Sequence, residues 1–177
     1  MSNFDETFIL LKEEKEPLPF IVNLNEKLKT IQVVLQKSDY ELVAFNDTRD
    51  EEEKESIWLD ESMTDEDVID LVCSWKGLGM LTYRHPDFLL DFGVAFMTWD
   101  DEHIQGVMIS FAERDTAFER EVKHRELIVK ISQFLEYEYV VGDVGNTSRS
   151  YISMEESLDK IKEHILNSSF TIDSRVW

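Results

Sequence analysis

The tightest constraint on the fold is a pair of period-two segments in the middle of the chain. Phe88, Leu90, Phe92, Val94 and Phe96 alternate with Leu89, Asp91, Gly93, Ala95 and Met97. Successive side chains of a strand point to opposite faces, so this spacing makes one strongly apolar face. Trp99-Asp100-Asp101-Glu102-His103 supplies a polar turn. Ile104 to Ala112 then reads as the return strand, with Val107, Ile109 and Phe111 on one side. Met80 to Tyr83 reads as a further strand beside this hairpin.

Other elements follow from spacing and capping. Phe8-Ile9-Leu10-Leu11 is a short strand candidate. Glu16-Pro17-Leu18-Pro19 is expected to take an extended or turning path. Asn23 with Glu26 has capping-box spacing, and Leu24, Leu28, Ile31 and Leu35 follow at helical intervals. The β-branched stretch from Thr30 to Leu35 also fits a strand, and Tyr40 to Phe45 reads as one. Thr64 with Asp67 opens a helix whose first turn carries Asp65, Glu66 and Asp67 at the positive end of the helix dipole. Val68, Leu71, Val72 and Trp75 form its stripe, and Gly77 and Gly79 its expected stop. Thr116 and Glu119 predict a long helix over about Ala117 to Glu136, and Tyr137 to Val141 a short strand. Ser153 with Glu156 predicts a last helix with Leu158, Ile161, Ile165 and Leu166 on its stripe. Phe170, Ile172, Val176 and Trp177 fit an edge strand or a docked tail.

Together these elements predict an α+β fold. A mainly antiparallel sheet carries helices packed on one face, in a single domain over residues 1–177. The apolar fraction is 42% and the aromatic fraction 11%, too high for a disordered chain. Glycine and proline are scarce, so no long linker divides the sequence. The one cysteine, Cys73, excludes an internal disulfide and a four-cysteine metal site. It lies on an apolar helix and reads as an inert buried thiol. No secretory signal or membrane-length apolar run is read, and a cytoplasmic setting is expected.

Charge is the other strong feature. The chain carries a net −20. The 24 residues from Asp47 to Asp70 hold twelve carboxylates against Arg49 and Lys54, so half of the net charge falls there. Residues 47–56 are expected to be a mobile acidic segment. Such charge favours a basic protein partner and argues against direct binding to nucleic acid or an anionic membrane. The expected contact residues are Glu51, Glu52, Glu53, Asp60, Glu61, Asp65, Glu66 and Asp67.

No sequence motif assigns a catalytic, cofactor-binding or metal-ligating set. The acidic run lacks the central glycine of an EF-hand loop. His85, His103, His124 and His164 have no zinc-site spacing. His103 beside Asp100, Asp101 and Glu102 fits a polar turn better than a metal site. Gly77-Leu78-Gly79 and Gly142-Asp143-Val144-Gly145 lack the spacing and chemistry of a phosphate loop. Basic residues from Arg114 to Lys130 alternate with acidic ones, as on an ion-paired solvent face. Met97, Trp99 and Met108 fall on the less apolar side of the hairpin. They form either part of a core or, if that side is uncovered, an interaction patch.

The run from Thr64 through Trp75 to Tyr83, a helix passing through glycines into a strand, gives the chain a further likeness. With its size, acidity and lack of cofactor motifs, the chain resembles the acidic immunity proteins that bacteria carry against polymorphic or contact-delivered toxins. That resemblance implies inhibition of one cognate toxin and carries no residue role with it. Other readings are an acidic regulatory module, a DNA mimic, and an enzyme whose site is assembled from distant residues.

Overall fold

The computed structural model describes residues 4–38, 42–45, 57–143 and 152–177. The acidic segment expected to be mobile, 47–56, lies outside them, as do Glu51, Glu52 and Glu53.

Strand β1 (Phe4–Lys15) leads into helix α1 (Pro17–Lys29), followed by short strands β2 (Val34–Leu35), β3 (Leu42–Phe45) and β4 (Ile57–Trp58). Helix α2 (Asp65–Cys73) precedes β5 (Gly79–Arg84), β6 (Phe92–Met97) and β7 (Ile104–Ala112). Two 3-10 turns then lead to α3 (Glu121–Ser132), β8 (Tyr137–Gly142) and α4 (Leu158–Leu166). The strand order is β4-β3-β5-β6-β7-β1-β8, with β2 also pairing with β5. Every pairing is antiparallel. The fold is therefore α+β, built on an antiparallel sheet.

Strand β1 runs through the interior between β7 and β8. Its Ile9 and Leu11 enter the larger core with Phe92, Val94, Phe96, Val107, Ile109 and Phe111. Buried residues of α1, α2 and α3 close this core. Phe8 and Leu10 point the other way, into a smaller core with Met97, Met108, Val141, Ile161 and Ile165. Helices α1 to α3 thus share one face as expected, while α4 covers the opposite one. A strand buried on both faces needs a continuous apolar run, which explains Phe8-Ile9-Leu10-Leu11.

The second core resolves the hairpin's other side. Met97 and Met108 are buried. Trp99 meets Phe8 edge-on at a centroid separation of 6.2 Å, and its indole N–H donates to the Glu156 carbonyl at 2.8 Å. These residues are packing and not an open patch. Gly106 is required here, because a Cβ would come within 2.7 Å of the Phe8 ring.

Several boundaries differ from expectation for identifiable reasons. Helix α1 begins at Pro17, not Asn23. Proline fits a first helical turn, where its missing N–H is not needed and its fixed φ is helical. Strand β6 begins at Phe92, because the backbone N–H groups of Leu89 and Leu90 donate to the buried Asp115 carboxylate at 2.9 and 2.8 Å. Helix α3 begins at Glu121, since the Thr116 hydroxyl donates to Asp5 of β1, with the Glu113 carbonyl 3.0 Å away, instead of capping a helix. Ser157, not Ser153, caps α4, and the Ser153 hydroxyl accepts from the backbone N–H of Glu155. After α2 the left-handed residue is Leu78, at φ 58°, and neither Gly77 nor Gly79 takes positive φ. The C-terminal segment is a docked tail: the Gly142 N–H donates to the Ile172 carbonyl at 2.7 Å, and the Val140 N–H to the Ser174 hydroxyl at 2.9 Å.

His124 is buried in the larger core, edge-on to Phe111 at 4.8 Å. Burial, aided by Arg125 and opposed by Asp143, lowers its pKa from 6.5 to about 4. The folded state therefore holds a neutral imidazole, while the unfolded chain takes up a proton as pH falls below 6.5. Stability from this group is complete above pH 6.5 and is lost as pH falls toward 4, by about 3 kcal/mol. Urea unfolding of the wild type and His124→Phe across pH 7 to 4 should show the variant losing less stability by about that amount. Parallel pH profiles would mean that His124 does not titrate in this way.

Candidate functional site

The capping box at the start of α2 forms as the sequence predicts. The Asp67 N–H donates to the Thr64 hydroxyl at 3.1 Å, and the Thr64 N–H donates to the Asp67 carboxylate at 3.0 Å. Just upstream, the Asp60 carboxylate accepts the Ser62 N–H at 2.8 Å, and its contacts with Ser62 hold its pKa below the usual value. These local bonds fix the course of the chain from β4 into α2.

The expected contact residues separate into two groups. Asp60, Glu61, Glu66 and Asp67 are exposed, and so is Asp70. Among the described residues, none of these five meets a lysine or arginine within 4.0 Å. Asp65 turns inward instead. It pairs with Lys37 and with Lys29 (3.2 Å), and it accepts the Asn25 amide at 2.8 Å. Asn25 in turn accepts the hydroxyl of the buried Tyr83 at 3.1 Å. Burial raises the Asp65 pKa, but Lys37, Asn25 and Lys29 together hold it below the ordinary carboxylate value. Asp65 is thus a tie between α1, α2, β5 and the segment after β2, with its charge neutralised internally.

The sequence reading missed Trp58. It lies on β4, at one end of the strand order, and is 63% exposed, while its neighbour Leu59 is 2% exposed and packs in the larger core. The exposed Asp60 follows two residues later in the chain, just past the end of β4. The residue alternation Trp58-Leu59-Asp60 carries this signal, although it is short. The result is an exposed indole followed in the chain by exposed carboxylates without basic partners among the described residues.

Cys73 is partly buried, and burial, reinforced by Asp70, pushes its thiol pKa to about 11. The thiol is protonated at neutral pH, and its position offers no activated nucleophile. A separate cleft of about 290 Å³ lies between the start of β1, the approach to α3 and the C-terminal tail. Asp5, Thr116, Glu121, His124, Arg125 and Asp143 contribute to its lining. The Nε2 atom of His124 is buried without a hydrogen-bond partner among the described residues. No helix of the described residues is long and apolar enough to cross a membrane.

No family model, curated protein or solved structure matches this chain.

The two kinds of carboxylate should respond unequally to substitution. Asp65→Ala leaves the buried Asn25 amide without its acceptor and should cost about 2 kcal/mol in urea unfolding. Glu66→Ala, on the same helix but exposed, should change stability by less than about 0.5 kcal/mol. Equal effects at the two positions would contradict the assignment of Asp65 as the internal tie.

Proposed function

We propose that this protein is an acidic binding module that captures a basic protein and, in the manner of the immunity proteins it resembles, neutralises a toxin. The observation that carries the reading is the exposed Trp58, with the exposed Asp60, Glu61, Glu66, Asp67 and Asp70 following in the chain. Protein interfaces draw much of their binding energy from a few aromatic anchors surrounded by contacts that exclude water. Surrounding charges act mainly on encounter: complementary fields raise association rates and their salt dependence. The described part of the acidic segment combines the two. Its carboxylates steer a cationic surface, and the indole supplies apolar contact area once the surfaces meet.

The distribution of charge favours a local protein contact over duplex mimicry. A DNA mimic must spread charge along a line resembling a duplex, which carries one charge per roughly 1.7 Å of axis. Here half of the net charge is concentrated between Asp47 and Asp70.

The experiment begins with capture at low salt from the source cells, followed by binding kinetics with the purified partner. The expected partner is a single basic protein bound stoichiometrically, whose toxic activity falls on binding. Neutralising Asp60, Glu61, Glu66 and Asp70 together as Asn or Gln should slow association by about tenfold and flatten its dependence on ionic strength. Trp58→Ala should act on dissociation, accelerating it by at least about tenfold. A partner bound unchanged by both sets of substitutions would place the interface elsewhere. A partner that binds but retains its toxic activity would remove the immunity reading while keeping the docking surface.

A further inference from the structure

We propose that Glu14, Asp100 and His103 form a binding site for a first-row divalent metal ion of the zinc type, separate from the acidic face. The three side chains come from two places in the sequence: the end of β1 and the turn between β6 and β7. The pairing of β1 with β7 shifts register between Leu10 and Lys15, and Glu14 lies in this irregular stretch opposite the turn. Their ligand atoms lie within 4.8 Å of one another. His103 Nδ1 is 2.8 Å from Asp100 Oδ2 and 3.7 Å from Glu14 Oε2. Donors held about 2.1 Å from a tetrahedral ion are about 3.4 Å apart, so these separations straddle the required value. Small side-chain movements would admit the ion.

The surrounding groups are those that a metal-binding histidine uses. Glu16 Oε1 lies 3.4 Å from the other imidazole nitrogen, Nε2. A ligating histidine commonly donates that second ring N–H to a carboxylate, which fixes the ring and its tautomer. Asp100 is also held: its Oδ1 accepts the backbone N–H groups of Glu102 and His103 at 2.9 and 2.8 Å, and the Thr98 hydroxyl at 3.2 Å. These bonds leave Oδ2 directed toward His103. Three carboxylates therefore surround one imidazole, and among the described residues Glu14, Glu16 and Asp100 form ion pairs within 4.0 Å only with His103. Unlike a lysine or arginine in that position, an imidazole can exchange its proton for a metal near neutral pH. Three protein donors leave a fourth position for water or another ligand.

The class of ion follows from the donors. Imidazole with carboxylates suits zinc and its neighbours, whereas magnesium and calcium favour sites built from oxygen alone. The test is a ZnCl2 titration of the full chain at pH 7.5 by calorimetry, with the imidazole nitrogen shifts of His103 followed by NMR. One equivalent should bind saturably and shift the His103 ring signals, and excess Mg²⁺ should not displace it. His103→Gln and Glu14→Gln should each abolish saturable binding, with folding checked by circular dichroism. Glu14 is exposed, so its variant remains informative if the histidine variant fails to fold. Glu16→Gln should weaken binding by about tenfold through loss of the ring's orienting partner. Glu61→Gln with Glu66→Gln should leave it unchanged. Absence of saturable binding, or binding that survives Glu14→Gln and His103→Gln, would overturn the proposal.

Discussion

The two-sided burial of β1 is the constraint on which the rest of the structure depends. Phe8 and Leu10 face one core and Ile9 and Leu11 the other, and all four are at most 5% exposed. Burying each of these side chains is worth about 2 kcal/mol. A register slip of one residue would exchange the two sets, since side chains alternate strictly along a strand. The two cores differ in shape. One is closed by three helices and is rich in phenylalanine from β6 and β7; the other is closed by α4 and is lined by Met97 and Met108. Correct pairing of β1 with β7 and β8 therefore sets which core each of the helices α1 to α4 closes. It also sets Asp5 beside Thr116 and brings Glu14 to His103, so both polar clusters inherit their geometry from the same strand.

The carboxylates of this acidic chain do not act as one population. Asp115 is buried and organises the backbone before β6, and Asp65 joins elements through Lys29, Lys37 and Asn25. Near the C-terminus, Asp173 is held below its usual pKa by Arg175, whose guanidinium also donates to the Ile165 and Ser168 carbonyls. That set closes the tail against the end of α4. The outward carboxylates of the segment from Asp60 to Asp70 have no comparable partners among the described residues. At physiological ionic strength their repulsion is screened only beyond about 8 Å, so helix neighbours such as Glu66 and Asp70 still repel, at a cost of about 0.2–0.5 kcal/mol per pair.

Much of the fold was legible in the sequence because it follows local rules. The alternation from Phe92 to Met97 and along β7 and the Thr64–Asp67 capping box depend on neighbouring residues, and these appear as read. The boundaries that moved did so where a distant group outcompeted the local signal. Asp115 took the N–H groups that would have extended β6, and Asp5 took the hydroxyl expected to cap the third helix. The side of the hairpin bearing Met97 and Met108 could not be assigned from its own residues, because α4 arrives from about fifty residues later. The site was less legible for the same reason. Charge density marked Asp65 and Glu66 alike, yet only the tertiary positions of Lys29, Lys37 and Asn25 turn one inward and leave the other in solvent. Glu14 and His103 are far apart in sequence, so motif spacing gave no sign that they meet.

The internal ties also bear on how the proposed docking face would work. A charge on a freely moving chain loses conformational entropy when a partner fixes it, and that loss offsets part of the contact energy. Asp60 and Asp67 instead hold local turns, while Asp65 fastens the start of α2 to α1 and to the buried Tyr83. Leu59, next to Trp58 at the end of β4, is itself anchored in the core. The indole and the carboxylates that follow it are thus displayed on backbone already fixed by the fold. Backbone fixed before encounter would lower the ordering cost of the proposed association. In the proposed function, Asp65, whose charge is paired with Lys29 and Lys37, would contribute to recognition indirectly, by holding its neighbours in place.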